Sequence, residues 1–338
     1  KYWFEAYRDS NGNGQRDSTE AWVAWSNNPA FLQSGATNIN LSLTDPDSDQ
    51  DGMPDWWEIQ YGLDPNAGGP SGTVGWWKLD ETNGTVAADS SGSGNNGNMT
   101  GTTVSAVASL GRIDGAFALD GVNDGIDVPT SGSLALRTNI TICAWVKPNA
   151  TTAGYQAILE KNFAYYLNIQ NGKPQFYWYG LSSPGYHTAT NVLSTGVWSH
   201  VAATYNRTNV MLYVNGSQVY SAAVTGLGNT SVSNIGIGYT GHNTLIRWLN
   251  GSLDDVRVYG SALSSNQVKG VHEVGADPDG DGISNIQEYQ AGTNPNNRDT
   301  DGDGMSDPDE AAQGFNPTAS NAAVRVWINN PEHGRRLP

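Results

Sequence analysis

The chain has 338 residues, with 33 acidic and 17 basic side chains and a formal net charge of -16. So acidic a chain repels phosphate, which excludes nucleic acid as an expected partner. Only 15% of the residues are charged, against 41 glycines and 15 prolines, and this composition favours a turn-rich, mainly β protein.

Two further features bound the class of protein. No apolar run approaches the roughly 18 residues of a membrane-spanning helix, and a single cysteine, Cys143, excludes an internal disulfide. The chain opens at Lys1 without a signal-peptide pattern, so we expect a mature or excised piece.

The negative charge is concentrated at the two ends of the chain. Residues 75–273 hold 11 acidic and 10 basic side chains, whereas the flanks hold the other 22 acidic and 7 basic ones. Carboxylates at this density repel one another unless cations neutralise them. We therefore divide the chain at these two points and expect bound cations in both flanks.

Residues 1–44 are predicted to be a partial β-sandwich that contains one calcium loop. Such a loop places oxygen donors at positions 1, 3, 5, 9 and 12 of twelve residues and glycine at position 6. Amides replace two carboxylates here, so this loop should bind calcium most weakly. It is followed by an apolar run at 22–25 in place of a helix, so we expect it between strands. The predicted ligands are Asp9, Asn11, Asn13, Gln15, Asp17 and Glu20.

Three more loops fit the pattern, one in residues 45–74 and two in residues 274–320. A hard cation takes six to eight oxygens at about 2.3–2.6 Å, and the glycine turn lets alternate side chains converge on it. Position 7 coordinates through its carbonyl, and the glutamate at position 12 approaches from the first turn of a helix. The predicted ligands are Asp47, Asp49, Asp51, Met53, Asp55 and Glu58, then Asp277, Asp279, Asp281, Ile283, Asn285 and Glu288, then Asp299, Asp301, Asp303, Met305, Asp307 and Glu310.

The same tail follows each of these three loops. Glu58 is followed by Gly62 and an Asp-Pro pair at 64–65, and the offsets recur in the other two loops. They describe a short helix, a glycine in the left-handed conformation and an Asx-Pro turn. Residues 45–67 and 277–318 resemble bacterial thrombospondin type 3 repeats, and the resemblance implies calcium as the bound ion.

Residues 75–273 contain short alternating or apolar runs that Gly, Asn, Ser and Pro interrupt every eight to twelve residues, the pattern of a β-sandwich. Asn-Gly dipeptides at 171–172 and 215–216 are preferred in two-residue hairpins. The predicted hairpins pair residues 165–169 with 174–179 and residues 210–214 with 217–222.

The order of landmark motifs in this segment carries a family resemblance. The motifs are Trp76-Trp77-Lys78-Leu79-Asp80, Gly115-Ala116-Phe117, Gly196-Val197-Trp198-Ser199-His200 and Gly251-Ser252-Leu253-Asp254-Asp255. They resemble the laminin G-like family of concanavalin A-type jelly rolls, a fold that hosts lectins, glycosidases and spacers alike. The resemblance implies one structural calcium at the rim of the sandwich, held by Asp120 and Asp254. Alternatively, Asp120 and Asp124 form an Asx turn.

The segment shows no pattern of a hydrolase. A glycosidase needs two carboxyl groups about 5–9.5 Å apart, and alternation places the neighbours Asp254 and Asp255 on opposite faces of their strand. We expect Glu160 to be a surface ion, and His200 and Cys143 to be structural residues of strands. We therefore expect no enzymatic activity.

Aromatic residues around one hairpin suggest sugar binding instead. Tyr177 and Tyr179 share one face of the strand and Trp178 the other, so one set at most is exposed. The candidate glycan-contacting residues are Trp178 and Tyr186, with core packing as the alternative explanation for the buried set.

Residues 321–338 contain an alternating strand near Trp327 that resembles the first strand of a bacterial immunoglobulin-like module. One explanation is that the chain was cut through neighbouring modules. The other is that this strand completes the N-terminal sheet of the next copy, which gives a head-to-tail filament.

The sequence thus predicts a mainly β protein with a concanavalin A-like jelly-roll sandwich, helix-containing calcium linkers and partial β modules at both ends. We expect an extracellular or cell-surface structural or adhesive protein that associates with itself through its terminal strands. The alternatives are a glycan-binding module of a larger secreted protein and, less favoured, a glycoside hydrolase.

Overall fold

The computed structural model describes residues 5–7, 22–24, 45–66, 72–150, 154–182, 185–240 and 247–320. These residues belong to two compact units, with the boundary between Ala276 and Asp277. No helix in the described ranges is long and apolar enough to cross a membrane.

All strands among the described residues lie in the first unit. They are β1 (Glu5–Tyr7), β2 (Trp22–Ala24), β3 (Thr73–Trp77), β4 (Val86–Ala87), β5 (Gly97–Thr100), β6 (Ala108–Leu110), β7 (Gly115–Asp120), β8 (Gly125–Val128), β9 (Ile140–Pro148), β10 (Tyr155–Lys161), β11 (Tyr165–Gln170), β12 (Lys173–Trp178), β13 (His187–Thr188), β14 (Ser199–Tyr205), β15 (Asn209–Val214), β16 (Ser217–Ala223), β17 (Ile235–Ile237) and β18 (Asn250–Tyr259).

Two antiparallel sheets form the jelly-roll sandwich. The first has the strand order β13-β12-β11-β10-β17-β8-β5-β4, and the second has the order β16-β15-β14-β9-β18-β7-β6, with β3 also paired to β18. The predicted fold class is therefore confirmed.

Both predicted hairpins are confirmed. β11 pairs with β12 and β15 pairs with β16 across the Asn-Gly dipeptides. Asn171 and Gly172 have φ angles of 52° and 77°, and Asn215 and Gly216 have φ angles of 48° and 70°. Two successive residues with positive φ make the type I′ turn that matches the twist of the flanking strands.

The second sheet is covered on both faces. One face packs on the first sheet and forms the main apolar core. The other face packs under a helix, where Tyr213 and Tyr259 contact Val268 and Val271. Cys143 lies in this second cluster at 1% exposure, and burial raises the pKa of its thiol to about 12. Its predicted structural place in a strand is thus what the structure has.

The helices are short, and three of them belong to the predicted calcium repeats. The helices are α1 (Asp55–Tyr61), α2 (Val104–Val107), α3 (Ser265–Val274), α4 (Asn285–Ala291) and α5 (Asp307–Gln313). Gly62, Gly292 and Gly314 end α1, α4 and α5 in the left-handed conformation, as the repeated tails predict.

Helix α3 was not among the predicted elements, although the sequence contains its signal. Ser264 caps the helix, and its side chain exchanges hydrogen bonds with Gln267 in a capping box. This helix covers the second sheet, so it determines which side chains of that sheet are buried.

At the N-terminal end, β1 and β2 pair in antiparallel register. The first predicted calcium loop connects these strands, which agrees with its predicted place between strands. The loop itself, Asp9 to Glu20, and the predicted terminal strand within 321–338 lie outside the described residues.

Candidate functional site

The three described calcium loops bring their acidic side chains together. In each loop the carboxylates at positions 1, 3 and 5 offer oxygens that lie within 4.8 Å of one another. The glycine at position 6 makes this turn, with φ angles of 100°, 109° and 93° at Gly52, Gly282 and Gly304. The triads are Asp47, Asp49 and Asp51, then Asp277, Asp279 and Asp281, then Asp299, Asp301 and Asp303.

The glutamates at position 12 are buried beside these triads. Glu288 is 0% exposed, and neither of its carboxylate oxygens has a hydrogen-bond partner among the described residues. The hydroxyl of Thr293 donates to the main-chain carbonyl of Glu288, at 3.5 Å. Burial, followed by the charges of Asp279 and Asp281, raises the pKa of Glu288 to about 8. Burial and the neighbouring aspartates likewise raise the pKa of Glu58 to about 9.

A divalent cation fits these residues. A buried carboxylate without a partner is costly unless an opposite charge compensates it. Four carboxylates and the carbonyl at position 7 supply the six or more oxygens that calcium prefers over about 2.3–2.6 Å. The donor set, all oxygen and strongly acidic, matches a hard cation and contains none of the thiolate or imidazole ligands that zinc prefers.

Position 9 has a role that differs from the prediction. Both oxygens of Asp55 accept hydrogen bonds from Ser48, at 2.7 Å from its amide and 2.7 Å from its hydroxyl. Asp307 is held in the same way by Thr300, at 2.9 and 2.8 Å. Each aspartate therefore links position 9 to position 2 of its own loop through two hydrogen bonds. It holds the loop together, whereas the sequence predicted only a metal ligand.

The third loop lacks this closure. Its position 2 is Pro278, which has neither an amide hydrogen nor a hydroxyl group, and its position 9 is Asn285. Instead, Asp307 of the following loop lies close enough to raise the pKa values of Asp281 and Glu288, after the larger effect of burial. One aspartate thus acts electrostatically on two consecutive loops. The sequence signal that was missed is the matching of Ser or Thr at position 2 with Asp at position 9.

The predicted rim calcium site is not formed by the two aspartates assigned to it. Asp120 pairs with Asn250 in the β7-β18 register, so Asp254 lies four residues further along β18, a separation of about 13 Å at the usual rise per residue. Asp120 accepts from the amides of Val122 and Asn123 at 2.7 and 3.2 Å. The Asx-turn alternative therefore describes Asp120.

Asp254 and Asp255 do not lie on opposite faces of their strand, as alternation predicts. β18 contains a bulge between Asp254 and Arg257, and Asp255 adopts a φ angle of 51°. Leu253 and Val256 both face the main core, so the extra residue leaves both carboxylates on the outer face. They are 0% and 5% exposed, and Asp255 pairs with Arg257 at 2.7 Å, so no substrate reaches them.

Glu160 is buried, contrary to its predicted place at the surface. It is 3% exposed and accepts a hydrogen bond of 2.9 Å from the hydroxyl of Tyr155. Burial raises its pKa to about 7, while the Tyr155 hydrogen bond and Arg247 lower it. Its neighbour Lys161 is 0% exposed and donates to the hydroxyl of Thr130 at 2.9 Å.

Glu160 lies at the base of a group of tyrosines, which we call the tyrosine face. Tyr166, Tyr177, Tyr179 and Tyr186 contact one another with ring centroids 4.7–5.8 Å apart. Tyr166 is buried, Tyr177 and Tyr179 are partly exposed, and Tyr186 is 51% exposed. The predicted candidate Tyr186 is thus at the surface, beside Tyr177 of β12 and close to Tyr179, which follows that strand.

The other predicted glycan-contacting residue, Trp178, is in the core and cannot stack on a sugar. It is 2% exposed, its ring packs on Tyr165 and Tyr205, and its Nε1 donates to the carbonyl of Asn229 at 3.1 Å. The prediction that it faces away from Tyr177 is correct, because side chains alternate along β12.

Comparisons with known proteins match two stretches of the chain to family models. Residues 120–269 match the model of the concanavalin A-like lectin/glucanases superfamily, which is a laminin G-type model. Residues 277–298 and 299–319 each match the bacterial TSP3 repeat. No curated protein matches the chain significantly.

Several solved structures are similar to the sandwich. Domain 4 of AbnA, a GH43 extracellular arabinanase from Geobacillus stearothermophilus, shares 21% identity with a TM-score of 0.47, over 59% of this chain and 97% of that one. The binding domain of Paraclostridial Mosquitocidal Protein 1 shares 15% with a TM-score of 0.46, over 60% and 52%. The botulinum neurotoxin serotype D binding domain shares 20% with a TM-score of 0.45, over 60% and 51%.

The chain spans about half the length of those last two domains. The family matches and the two antiparallel sheets lead to one assignment. The chain contains a domain of the concanavalin A-like lectin/glucanases superfamily followed by two bacterial TSP3 repeats.

Proposed function

We propose that this chain is an extracellular, calcium-stabilised structural or adhesive protein of the bacterial cell surface. The observation that supports this most is Glu288, a buried carboxylate without a hydrogen-bond partner in the described chain, beside Asp279 and Asp281. Calcium at this point would compensate the charge and fix α4 to its loop. The repeats would then hold the chain in a defined shape without an apolar core.

The expected affinity fits a location outside the cell. Calcium modules of extracellular proteins bind with dissociation constants of about 10⁻⁴ to 10⁻³ M, so they are occupied only where calcium is abundant. Domains of both matched families are typical of extracellular proteins. We therefore place the chain at the cell surface or in the medium.

Isothermal titration of the full chain with calcium tests this proposal. We expect at least three binding events. Calcium should bind more tightly than magnesium, because magnesium loses its water ligands reluctantly and is seldom bound by protein oxygens alone. Glu288→Gln should remove or weaken one event. The matched control is Glu273→Gln, another buried glutamate, which pairs with Lys269 at 2.7 Å outside the loops. A full chain that takes up no calcium would overturn the proposal.

A finer proposal is that copies join head to tail through their terminal strands. It comes from the alternating sequence of residues 324–328 and the partial N-terminal sheet. Deleting residues 322–338 should leave the sandwich folded and yield monomers. If the truncated chain forms the same oligomers as the full chain, strand exchange is not the mechanism.

A second candidate function is glycan binding, which the exposed tyrosine face favours. Aromatic rings at a surface offer apolar area together with hydroxyl groups, a combination that suits sugar rings. We propose no hydrolytic activity, because Asp254 and Asp255 are buried and Glu160 has no acidic side chain among the groups that shift its pKa. Turnover of a common β-glucan that Glu160→Gln abolishes would contradict this.

A further inference from the structure

We propose that one end of the sandwich docks onto an anionic lipid bilayer, with three apolar side chains entering the headgroup region and two arginines binding lipid phosphates. The residues are Phe163, Leu227, Val232, Arg137 and Arg207. This function goes beyond the calcium and glycan functions proposed above and depends on neither. We call this part of the molecule the arginine end, and it is formed by residues 130–137, 161–164, 179–182, 206–208 and 224–234.

The loop at 224–234 crosses this end from the second sheet to the first. Near its start, the amide of Val224 donates to the carbonyl of Thr208, in the turn between β14 and β15, at 2.9 Å. Near its other end, the ammonium group of Lys161 donates to the carbonyl of Ser233 at 2.6 Å. The loop is therefore fastened to both sheets, and its exposed side chains are held in fixed places.

Apolar side chains are exposed on this loop and on the turn beside it. Leu227 is 45% exposed and Val232 is 91% exposed. Phe163, in the turn between β10 and β11, is 55% exposed, and its φ angle of 59° lies in the left-handed region. A bulky residue in this region is strained, and strained residues cluster at functional sites. The fold thus keeps a large apolar ring at the surface at a cost in free energy.

Two exposed arginines accompany the apolar side chains. The carbonyl of Arg137 accepts from the amide of Gly228 at 2.8 Å, in the middle of the crossing loop. Arg207 occupies the tip of the β14-β15 turn with a φ angle of 75°, and the side chain of Asn206 fixes this turn by accepting from the amide of Thr208 at 3.0 Å. A guanidinium group is planar and binds two phosphate oxygens at once. The end therefore combines phosphate-binding groups with apolar tips.

The local charge favours an anionic partner. Residues 128–253 contain six basic side chains and one acidic side chain, Glu160, which is 3% exposed. None of the five segments of the arginine end contains an acidic residue. The acidic side chains of the chain are concentrated in its flanks, and physiological salt screens exposed charges that lie more than about 8 Å apart. The positive charge of the end itself therefore decides which surface it meets.

The form of the surface favours a bilayer over a folded protein. Its apolar side chains project from separate loops, with exposed polar side chains such as Thr225, Asn229 and Thr230 beside them. A protein interface needs a continuous and closely packed centre, which separate tips do not offer. A fluid bilayer adapts to them, because each apolar side chain enters the boundary between headgroups and acyl chains while the arginines stay at the phosphates.

The test is flotation of the full chain, in calcium, with vesicles of phosphatidylcholine alone or of equal parts of phosphatidylcholine and phosphatidylglycerol. We expect binding to the mixed vesicles, and weaker binding at high salt. Val232→Asp and Leu227→Asp should each lower the affinity at least tenfold, since they replace an inserted apolar group with a charge that the lipid repels. Arg137→Gln should lower it roughly fivefold, the contribution of one basic residue at an anionic surface.

The matched control is Val192→Asp, which should leave the affinity unchanged. Val192 is 58% exposed, but it lies at the opposite end of the sandwich, where the amide of Leu193 donates to the carbonyl of Gly172 in the β11-β12 turn at 2.8 Å. An equal loss of affinity in Val192→Asp and Val232→Asp would overturn the proposal, because binding would then not depend on the arginine end.

Phe163→Asn separates a binding role from a structural one. Asn adopts the left-handed conformation more readily than Phe, so this variant should unfold at a temperature no lower than that of the wild type. Its affinity for the mixed vesicles should nevertheless fall at least fivefold, because the inserted ring is gone. Unchanged affinity would overturn the proposed insertion.

Two further outcomes would also overturn the proposal. The first is a full chain that binds neither kind of vesicle, or binds both equally well. The second is association of the chains without lipid that Val232→Asp abolishes, since the arginine end would then be an interface between copies. Analytical ultracentrifugation of the wild type and this variant measures the second outcome.

Discussion

The sandwich and the second unit are stabilised by different means. Inside the sandwich, Phe117, Leu167 and Ile237 are 0% exposed between the two sheets. In the described part of the second unit, residues 277–320, the buried side chains are polar except for Pro295. Apolar area removed from water orders the first region, whereas the second needs a cation to offset carboxylates such as Glu288. Each region should therefore respond to a different solution condition.

The repeat in the first unit combines both means. Met53, at position 7 of its loop, is 0% exposed and Trp57 is 3% exposed. Ile283 and Met305 occupy the same position in the other loops and are only partly buried. The loop pattern thus buries apolar side chains in the repeat within residues 45–66 and almost none in the two repeats of the second unit. The repeat within residues 45–66 should therefore depend less on calcium.

The largest effect is expected from the sandwich core. Phe117→Ala should lower the free energy of unfolding of the sandwich by about 3–5 kcal/mol, because it removes a large buried ring and leaves a cavity. Denaturant unfolding with and without calcium should show the same loss. Val232→Ala, at a 91% exposed position, is the control and should change stability by less than about 0.5 kcal/mol. If Phe117→Ala lowered the free energy of unfolding only in the presence of calcium, the sandwich would not be stabilised independently of the calcium loops.

Chelation should act on the other region. Calcium at a hundred times its dissociation constant stabilises a folded site by about 2.7 kcal/mol, so removing it should raise protease cleavage within 277–320 by roughly a hundredfold. We expect a smaller rise within 45–66 and none within 75–273. Limited proteolysis with mass spectrometry measures this, and adding magnesium back is the control. Equal protection of all three regions in chelator would show that the loops do not depend on calcium.

Asp307 allows a finer test within the repeats. Asp307→Asn should weaken calcium binding at both the third and the fourth loops, because it removes a negative charge that acts on both. The loss should be roughly tenfold or more at the fourth loop, where Asp307 also accepts two hydrogen bonds, since hydrogen bonds to charged groups contribute about 1.5–3 kcal/mol. Thr300→Ala should affect the fourth loop alone, because it removes the hydroxyl hydrogen bond to Asp307 and keeps the negative charge of Asp307. Titration calorimetry distinguishes these cases, with Asp55→Asn as the matched variant of the second loop. Unchanged binding at the third loop would disprove the coupling.

The last expected effect depends on pH and concerns His272, a partly buried histidine of the sandwich unit. Burial, with Arg112 and Lys269, lowers the pKa of His272 to about 4 from 6.5. The folded state therefore holds this ring neutral, and stability falls as the pH drops below 6.5 towards 4, by about 1.4 kcal/mol per pH unit.

Buried carboxylates with raised pKa values, such as Glu160, act in the opposite direction over the same range. The measurement is therefore the difference in unfolding free energy between the wild type and His272→Gln at pH 7 and pH 5, in which those contributions cancel. Parallel pH profiles for the two proteins would contradict a neutral His272 ring in the folded state.

Features that depend on nearby residues were predictable from the sequence. The Asn-Gly hairpins and the calcium loops have fixed spacings, because their geometry is set within about twelve residues. The burial of Glu160 was not predictable, since its environment includes Arg247, which is far away in sequence. The bulge at Asp255 was missed for a related reason: alternation assumes an uninterrupted ladder, and one extra residue reverses the faces.

Strand β18 has a consequence for the order in which the molecule is made. It lies in the middle of the second sheet and pairs with β9, β7 and β3, of which β3 has no other partner among the described strands. Yet it is the last strand of the sandwich to be synthesised. Until residue 259 has emerged, β7 and β9 keep open edges and the sheet remains in two parts. Closing such distant pairs makes folding slow, so the second sheet is completed only when nearly the whole domain has been synthesised.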